Sequence, residues 1–415
     1  MKHTRRVVIT GLGCVTALGE SAHEMFQAVC QAKSGISNIE SFDVSDFPVK
    51  FGGEVKNFAI KDHVAAREGK RLDRFAQFAL ASAIQSVEDS NLDFSQENRS
   101  RMGVLIGTGI GGLIEIEEQH TRLLRKGPRK VSAFCVPKLM GNAASGVVSI
   151  HYGLKGPNMC VVTACASASH AIGEAFYHIL TDRSDVMITG GSEAALTPVG
   201  LASFCSLKSL STRNDAPQIA SRPFDRDRDG FVLSEGAGIL VLEEYEHARR
   251  RNARIYAEVL GYGATGDGYH ITAPLSDGRG AADAMRLALA DADIRPEQVD
   301  YINAHGTSTQ LNDEAESTAM KSVFGEHVYK LSVSSTKSSL GHLLGASGAV
   351  ELIVCAKAIS DSVVPPTANL ENVCKKCDPK IDYVPKTARE MQVSIAMSNS
   401  LGFGGHNCSL VIGKV

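Results

Sequence analysis

Four residues of this 415-residue chain stand where chemistry needs them: Cys165, His305, His342 and Lys337. Cys165 follows the strand-like run 159–163 and precedes 166–180, a stretch of small and apolar residues that reads as a buried helix. A cysteine at a helix N-terminus meets unpaired N–H donors and the positive end of the helix dipole. Both favour a thiolate, and the same amides can hold an oxyanion. Taken alone, the local sequence fits a buried structural cysteine equally well. His305 lies in Asn303-Ala304-His305-Gly306-Thr307-Ser308-Thr309, and His342 in Lys337-Ser338-Ser339-Leu340-Gly341-His342-Leu343-Leu344-Gly345. Glycines and hydroxyl residues flank both, a setting in which backbone approaches a ligand closely. Singly, each histidine is more often structural. With Cys165 they make a nucleophile and two imidazoles able to polarise a carbonyl.

Those residues need a scaffold, and the chain spells one. Short β-branched runs at 6–10, 104–107, 159–163, 186–189 and 238–243 recur at 257–261, 300–303, 332–335, 394–398 and 409–412. Helical patterns at 73–89, 166–180, 280–290 and 343–359 lie between them. Buried strands with helical crossovers predict an α/β protein. The charged stretch 243–254 divides it into an N-terminal half, 1–254, carrying the cysteine, and a C-terminal half, 255–415, carrying the histidines and the lysine. Each half has a strand ending in a reactive-looking turn, before Cys165 and at His305, so two related halves would bring these ends together.

Composition narrows the function. Hydrophobic residues make up 43% and charged residues 21%, and the net charge is −3, so no basic field points to nucleic acid. No run of about 18 apolar residues predicts a membrane span. The start of the chain has no apolar core of signal-peptide length, which predicts a cytoplasmic protein with its ten cysteines reduced. Cys374 and Cys377 form a CxxC pair in a polar loop without a second pair at zinc-ribbon spacing, and read as loop rather than metal site. The glycines of 107–112 approach a dinucleotide fingerprint, with the last glycine one residue early.

The chain resembles the β-ketoacyl-acyl-carrier-protein synthases, the condensing enzymes of fatty-acid elongation, and most closely the type II form. The resemblance spans nearly its whole length, from Arg5-Arg6-Val7-Val8-Ile9-Thr10-Gly11-Leu12-Gly13 through Thr163-Ala164-Cys165, the His305 motif and Lys337 with 341–348, to Ser400-Leu401-Gly402-Phe403-Gly404-Gly405. It implies the thiolase fold, a five-layered α-β-α-β-α sandwich of two similar halves, in a homodimer. It implies that Cys165 accepts the acyl group, with the amides of Cys165 and Phe403 as oxyanion hole. His305 and His342 would hold the malonyl thioester oxygen while carbon dioxide leaves, and Lys337, paired with Glu316, would tune His305. Asp313 and Glu316 share one face of a helix as supporting acids. Thr307 and Thr309 would bind the pantetheine arm, and Ile110 and Phe204 would wall the acyl pocket. Gly402, Phe403, Gly404 and Gly405 would gate it, together with Asp267 and His270.

The chemistry is coherent on its own terms. A Claisen condensation needs a carbanion equivalent beside a thioester, and decarboxylation supplies one if fixed donors hold the negative oxygen in a dry site. No cofactor is required. The resemblance also implies a structural monovalent or divalent cation near Glu351, Asn303 and Asn399. Basic clusters at Arg67, Lys70, Arg71 and Arg74, and at Arg125, Lys126, Arg129 and Lys130, with Lys208, would receive an acidic acyl carrier protein bearing acyl and malonyl thioesters. Gln310, Leu401 and His406 depart from the family pattern and bear on loop stiffness and acyl preference. The alternatives are a polyketide-type ketosynthase, which shares the triad, and a non-catalytic partner subunit, which generally lacks the cysteine.

Overall fold

The computed structural model describes residues 5–415; the basic start of the chain, residues 1–4, lies outside the described residues. Ten strands form the core: β1 (Val7–Thr16), β2 (Met102–Gly107), β3 (Asn158–Val161), β4 (Val186–Glu193), β5 (Gly236–Glu244), β6 (Ala257–Gly266), β7 (Tyr301–Asn303), β8 (Ser332–Ser334), β9 (Ile395–Gly402) and β10 (His406–Gly413). Each of the ten runs expected from sequence overlaps one of them. Their spatial order is β8-β7-β9-β10-β6-β1-β5-β4-β2-β3. Read outward from the middle, the two halves match strand for strand: β1, β5, β4, β2, β3 against β6, β10, β9, β7, β8. In each half the strand that comes last in the chain, β5 or β10, runs antiparallel to both its neighbours, and the three strands outside it pair in parallel. The two half-sheets join through three residue pairs, Val7–Val259, Val8–Glu258 and Ile9–Ala257.

Seven helices position the site: α1 (Arg74–Ser90), α2 (Leu113–Lys126), α3 (Ala143–Tyr152), α4 (Ser167–Leu180), α5 (Arg279–Asp291), α6 (Gln310–Phe324) and α7 (Ser347–Asp361). α1 covers one outer face, against β1 and β5, and α5 covers the other, against β6 and β10. α4 and α7 lie between the two half-sheets and touch both and each other. That central position explains their composition: residues 167–173 and 347–356 are all buried, so small side chains are needed on every face. The result is the five-layered α-β-α-β-α sandwich of the thiolase fold.

Two boundaries differ from the sequence reading. The strand before Cys165 stops at Val161, and the helical run from 343 becomes regular only at Ser347. The reason is common to both. Each central helix is entered through a 3-10 turn, Ala164–Ala166 and Leu344–Ala346, whose first residue is left-handed, φ 51° at Ala164 and 47° at Leu344. The symmetry mate of the Cys165 turn is therefore the turn at Gly345, and the His305 turn corresponds to the loop after β2.

Candidate active site

Cys165 sits in the middle of its 3-10 turn, 8% exposed. Its neighbour Ala164 holds a backbone conformation unfavourable for a side chain, the kind of strain that persists at functional sites. Gly402 presses onto this turn from the end of β9. A Cβ there would lie 2.8 Å from the carbonyl of Thr163 and 3.2 Å from the amide of Cys165, so only glycine fits. The amides of Phe403 and of Cys165 itself are directed at the sulfur.

Opposing influences meet at the sulfur. Burial pushes the Cys165 thiol up to about 11, against the opposing pull of Lys337 and the two amides. The helix proper begins only at Ser167, beyond the cysteine.

His305 and His342 converge on the sulfur. The thiol and one nitrogen of each ring lie within 4.8 Å of one another, and the ring centroids are 5.3 Å apart at 83°. Burial, followed by the charge of Lys337, holds both imidazoles well below their ordinary 6.5, so both are neutral. Nδ1 of His305 lies 3.4 Å from Nζ of Lys337, and Nδ1 of His342 lies 2.9 Å from Oγ of Ser347. An ammonium only donates, so Nδ1 of His305 accepts and the ring's proton is assigned to Nε2. His342 is fixed further by its backbone, its amide donating to Val232 at 2.7 Å.

Lys337 is paired with Glu351 rather than Glu316, which corrects the expected partnership. Glu316 does different work. Its two oxygens accept from the amides of His305 and Gly306, each at 2.8 Å, and so hold the turn that carries the imidazole. Burial pushes its carboxyl up to about 7, against the pull of those amides. Asp313, one helical turn earlier, accepts from the amides of Phe224 at 2.8 Å and Ser308 at 3.3 Å.

These residues open onto a cavity of about 510 Å³. Ile110, Phe204, Thr307, Thr309, Asp267, Phe403 and Lys208 all line it, as do Leu401 and Gln310. The hydroxyls of Thr307 and Thr309 are 3.0 Å apart on its wall. The Phe403 loop is tied to a second loop: Asp267 donates its amide to the carbonyl of Gly405 at 2.9 Å and accepts from Nδ2 of Asn407 at 2.7 Å. Gly404 and Gly405 take left-handed backbone, φ 85° and 75°. His270 does not join them; its Nδ1 accepts from the amides of Thr272 and Ala273 within its own turn.

Of the basic residues, Lys208 alone is on the cavity wall. Arg67, Lys70, Arg71, Arg129 and Lys130 are exposed, with Arg71 stacked 5.3 Å from the ring centroid of Phe134. Arg74 leaves the patch, because its guanidinium is bound to Glu235 at 2.7 Å. Around Glu351, both amide atoms of Asn303 and Oε2 of Glu351 are buried without a hydrogen-bond partner, whereas the amide of Asn399 is engaged by Ser409 at 2.8 Å and Glu316 at 3.4 Å.

Sequence reasoning missed Glu193. This fully buried carboxylate accepts from the amides of Gly109 (2.7 Å), Ile110 (3.2 Å) and Gly345 (3.1 Å) and from the hydroxyl of Thr108 (3.0 Å). It ties the loop after β2 in one half to the 3-10 turn of the other. The available signal was an acid closing the strand run Gly190-Gly191-Ser192.

Comparison with known proteins agrees with this geometry. Residues 4–248 match the family model "Beta-ketoacyl synthase, N-terminal domain", and residues 256–371 match "Beta-ketoacyl synthase, C-terminal domain". The chain is 51% identical over 410 residues to the 3-oxoacyl-[acyl-carrier-protein] synthase 2 of Synechocystis sp., covering 99% of this chain and 98% of the relative. It is likewise 51% identical over 411 residues to the protein of that name from Coxiella burnetii, covering 99% of each. Among solved structures, a ketosynthase in complex with its type II PKS acyl-carrier protein superposes with a TM-score of 0.92 at 36% identity, covering 99% of each chain.

Proposed function

The chain belongs to the β-ketoacyl synthase family, and we propose that Cys165, His305, His342 and Lys337 carry the two half-reactions of a 3-oxoacyl-acyl-carrier-protein synthase. The enzyme is an acyltransferase that condenses a carrier-bound acyl chain with malonyl-acyl-carrier protein in fatty-acid elongation. The observation that carries the assignment is the convergence of one thiol and two neutral imidazoles within 4.8 Å at the floor of a single cavity.

In the first half-reaction the sulfur of Cys165 attacks the acyl thioester carbonyl. The amides of Cys165 and Phe403 stabilise the oxyanion, and the carrier thiol leaves with the proton the cysteine loses. In the second, malonyl thioester binds with its carbonyl oxygen toward His305 and His342. Neutral N–H donors hold the enolate as carbon dioxide departs without protonating the carbanion. The carbanion attacks the acyl-cysteine, and the tetrahedral adduct collapses to expel Cys165. Lys337 orients His305 and keeps it neutral. Thr307 and Thr309 bind the pantetheine arm, while Ile110 and Phe204 bound the acyl chain. Identity of 51% to fatty-acid relatives against 36% to a polyketide ketosynthase supports the elongation role.

The carrier protein docks on Lys208 at the cavity mouth and on the exposed clusters at Arg67, Lys70, Arg71, Arg129 and Lys130. The working form is a homodimer. β3 supports this: it is the edge strand of the sheet, and Met159 beside Val162 on it and after it, with Ile150 on α3, are 42%, 60% and 81% exposed. A paired edge would cover them. A structural cation bound by Asn303 and Glu351 would satisfy their orphaned oxygens and stiffen the ground beneath Lys337; oxygen donors of this kind suit a hard ion. Asn399, already engaged by Ser409 and Glu316, would offer the ion its remaining lone pair.

The deciding experiment is mass spectrometry after incubation with an acyl-acyl-carrier protein. Acylation at Cys165, and loss of condensation in Cys165→Ala, is the expected result; acylation elsewhere with a still-condensing Cys165→Ala would overturn the assignment. Acyl donors of graded length then define the chain-length preference.

A further inference from the structure

The CxxC pair has no place in condensation. Its geometry gives it one of its own. Cys374 caps the short 3-10 turn Lys375–Cys377, and the amide of Cys377 donates to the carbonyl of Cys374 at 2.9 Å. A carbonyl-to-amide bond between residues three apart closes a turn whose ends lie within about 7 Å, Cα to Cα, close to the separation a disulfide spans. The environments of the two sulfurs differ. Cys374 is half-buried and reachable from solvent, whereas Cys377 is fully buried beside Ser317.

Arg228, whose side chain is fully buried, lies close to both cysteines. It donates to the carbonyls of Thr309 (3.0 Å), Asp225 (2.9 Å) and Gln310 (2.9 Å), and it also meets Cys374. Asp313 and Glu314 face it from α6, at 3.4 Å and 3.3 Å. Burial alone would raise the Cys374 thiol, but Arg228 and the amides of Lys376 and Cys377 outweigh it and hold the thiol below its ordinary value. Burial pushes Cys377 the other way, up to about 12. A guanidinium at the sulfur also argues against zinc, since a dication there would meet a buried positive charge.

We propose that Cys374 and Cys377 form an oxidisable dithiol, a modification site for peroxides, in which Cys374 is the attacking sulfur and Cys377 the resolving one. The Cys374 thiolate attacks one peroxide oxygen. The O–O bond breaks, hydroxide leaves and is protonated to water, and Cys374 becomes a sulfenic acid. The sulfur of Cys377 then attacks that of Cys374. The S–O bond breaks, and the second hydroxide leaves as water with the proton of Cys377. Two thiols lose two electrons to one peroxide, giving one disulfide and two waters. Arg228 thereby couples the redox state of this turn to the carbonyls of Thr309 and Gln310 at the cavity wall.

The test uses the full-length reduced protein and hydrogen peroxide, with remaining thiols blocked by N-ethylmaleimide and each cysteine followed at peptide level. The expected result is a disulfide-linked Cys374–Cys377 peptide lacking two hydrogens. In Cys377→Ala, a sulfenic acid at Cys374 should instead be trapped by dimedone. Cys374→Ser should leave Cys377 a free thiol. Without peroxide, maleimide at neutral pH should label Cys374 several-fold faster than the comparably half-buried Cys135. Equal labelling of the two, or peroxide oxidation of Cys135 and Cys205 with Cys374 and Cys377 left as thiols, would overturn the proposal. Because Cys165 is read separately, the result does not depend on acyl transfer.

Discussion

Lys337 reaches past His305 to Glu351, so that one buried ammonium joins an imidazole at 3.4 Å to a carboxylate carried by α7. Both ends of the pair are 3% exposed or less. Breaking such a pair strands a charge in the interior, at a cost of about 3–5 kcal/mol. Glu351→Gln should therefore lower the denaturation midpoint. It should also slow malonyl decarboxylation more than acylation of Cys165, since its effect passes through Lys337 to His305. A double-mutant cycle with Lys337→Met measures the coupling. Additive losses would mean that the pair does not act as a unit.

Glu316 holds His305 through the backbone instead. Glu316→Gln keeps the shape but leaves only one acceptor for the amides of His305 and Gly306. An unmet buried donor costs about 1–3 kcal/mol. The expected signature is a fall in kcat for decarboxylation with little change in KM, because the hydroxyls of Thr307 and Thr309 on the cavity wall are untouched.

The titration of the imidazoles gives a pH prediction. Both sit well below 6.5, so neither gains a proton as pH falls from 8 through 6.5. In Glu316→Gln, which lacks the carboxyl that titrates at about 7, single-turnover decarboxylation should stay level across that window. A loss centred on 6.5 in that variant would mean ordinary, exposed imidazoles. Folding stability behaves differently. Below 6.5 the unfolded histidines take up protons that the folded ones refuse. Each therefore destabilises the fold by up to ~1.4 kcal/mol per pH unit as pH falls from 6.5 toward the folded value. Chemical denaturation of wild type and His342→Asn at several pH values isolates this slope for one ring.

Cys165 predicts the opposite trend for alkylation. With the thiol pushed up to about 11, the thiolate fraction rises about tenfold per pH unit through the neutral range. Iodoacetamide labelling of Cys165, followed by peptide mass spectrometry from pH 7 to 10, should climb accordingly. A plateau before pH 8 would show that the turn stabilises the thiolate at rest.

These outcomes separate what sequence can and cannot disclose. The alternation of apolar strands and helices, and the motifs around Cys165, His305 and His342, depend on local composition, so the α/β scaffold and the triad were legible. Glu193, the Lys337–Glu351 pair and the free amide of Asn303 depend on which strand ends meet across the two halves. Spacing along the chain carries no trace of that. The same holds for the sulfur of Cys165: the helix start is written in the sequence, while the burial that opposes a thiolate belongs to the fold. Arg74 was read as one more surface cation because Glu235 lies far along the chain.

The last prediction concerns Phe403. Its amide serves Cys165, while its ring lines the cavity between Gly402 and the left-handed pair Gly404 and Gly405. Those glycines permit backbone movement that other residues resist. Movement has specific bonds to break: the amide of Gly404 donates to Ile271 at 2.7 Å, and that of Asp267 to Gly405 at 2.9 Å. The two loops therefore shift together or not at all. His406 opposes them, its ring packing over Gly404 where a Cβ would meet it at 3.0 Å. If the ring bars malonyl substrate until Cys165 is acylated, Phe403→Ala removes the bar and keeps the amide. Malonyl decarboxylation without an acyl donor should then rise several-fold over wild type, while acyl loading slows or loses selectivity. Asp267→Ala, which keeps both backbone bonds but loses the carboxylate's bond with Nδ2 of Asn407, loosens the second loop without touching the ring and should give a weaker effect of the same sign. Unchanged uncoupled decarboxylation in both variants, with the ring in one position in crystal structures of the free and acylated enzyme, would make Phe403 a fixed wall of the pocket and its amide the sole contribution to catalysis.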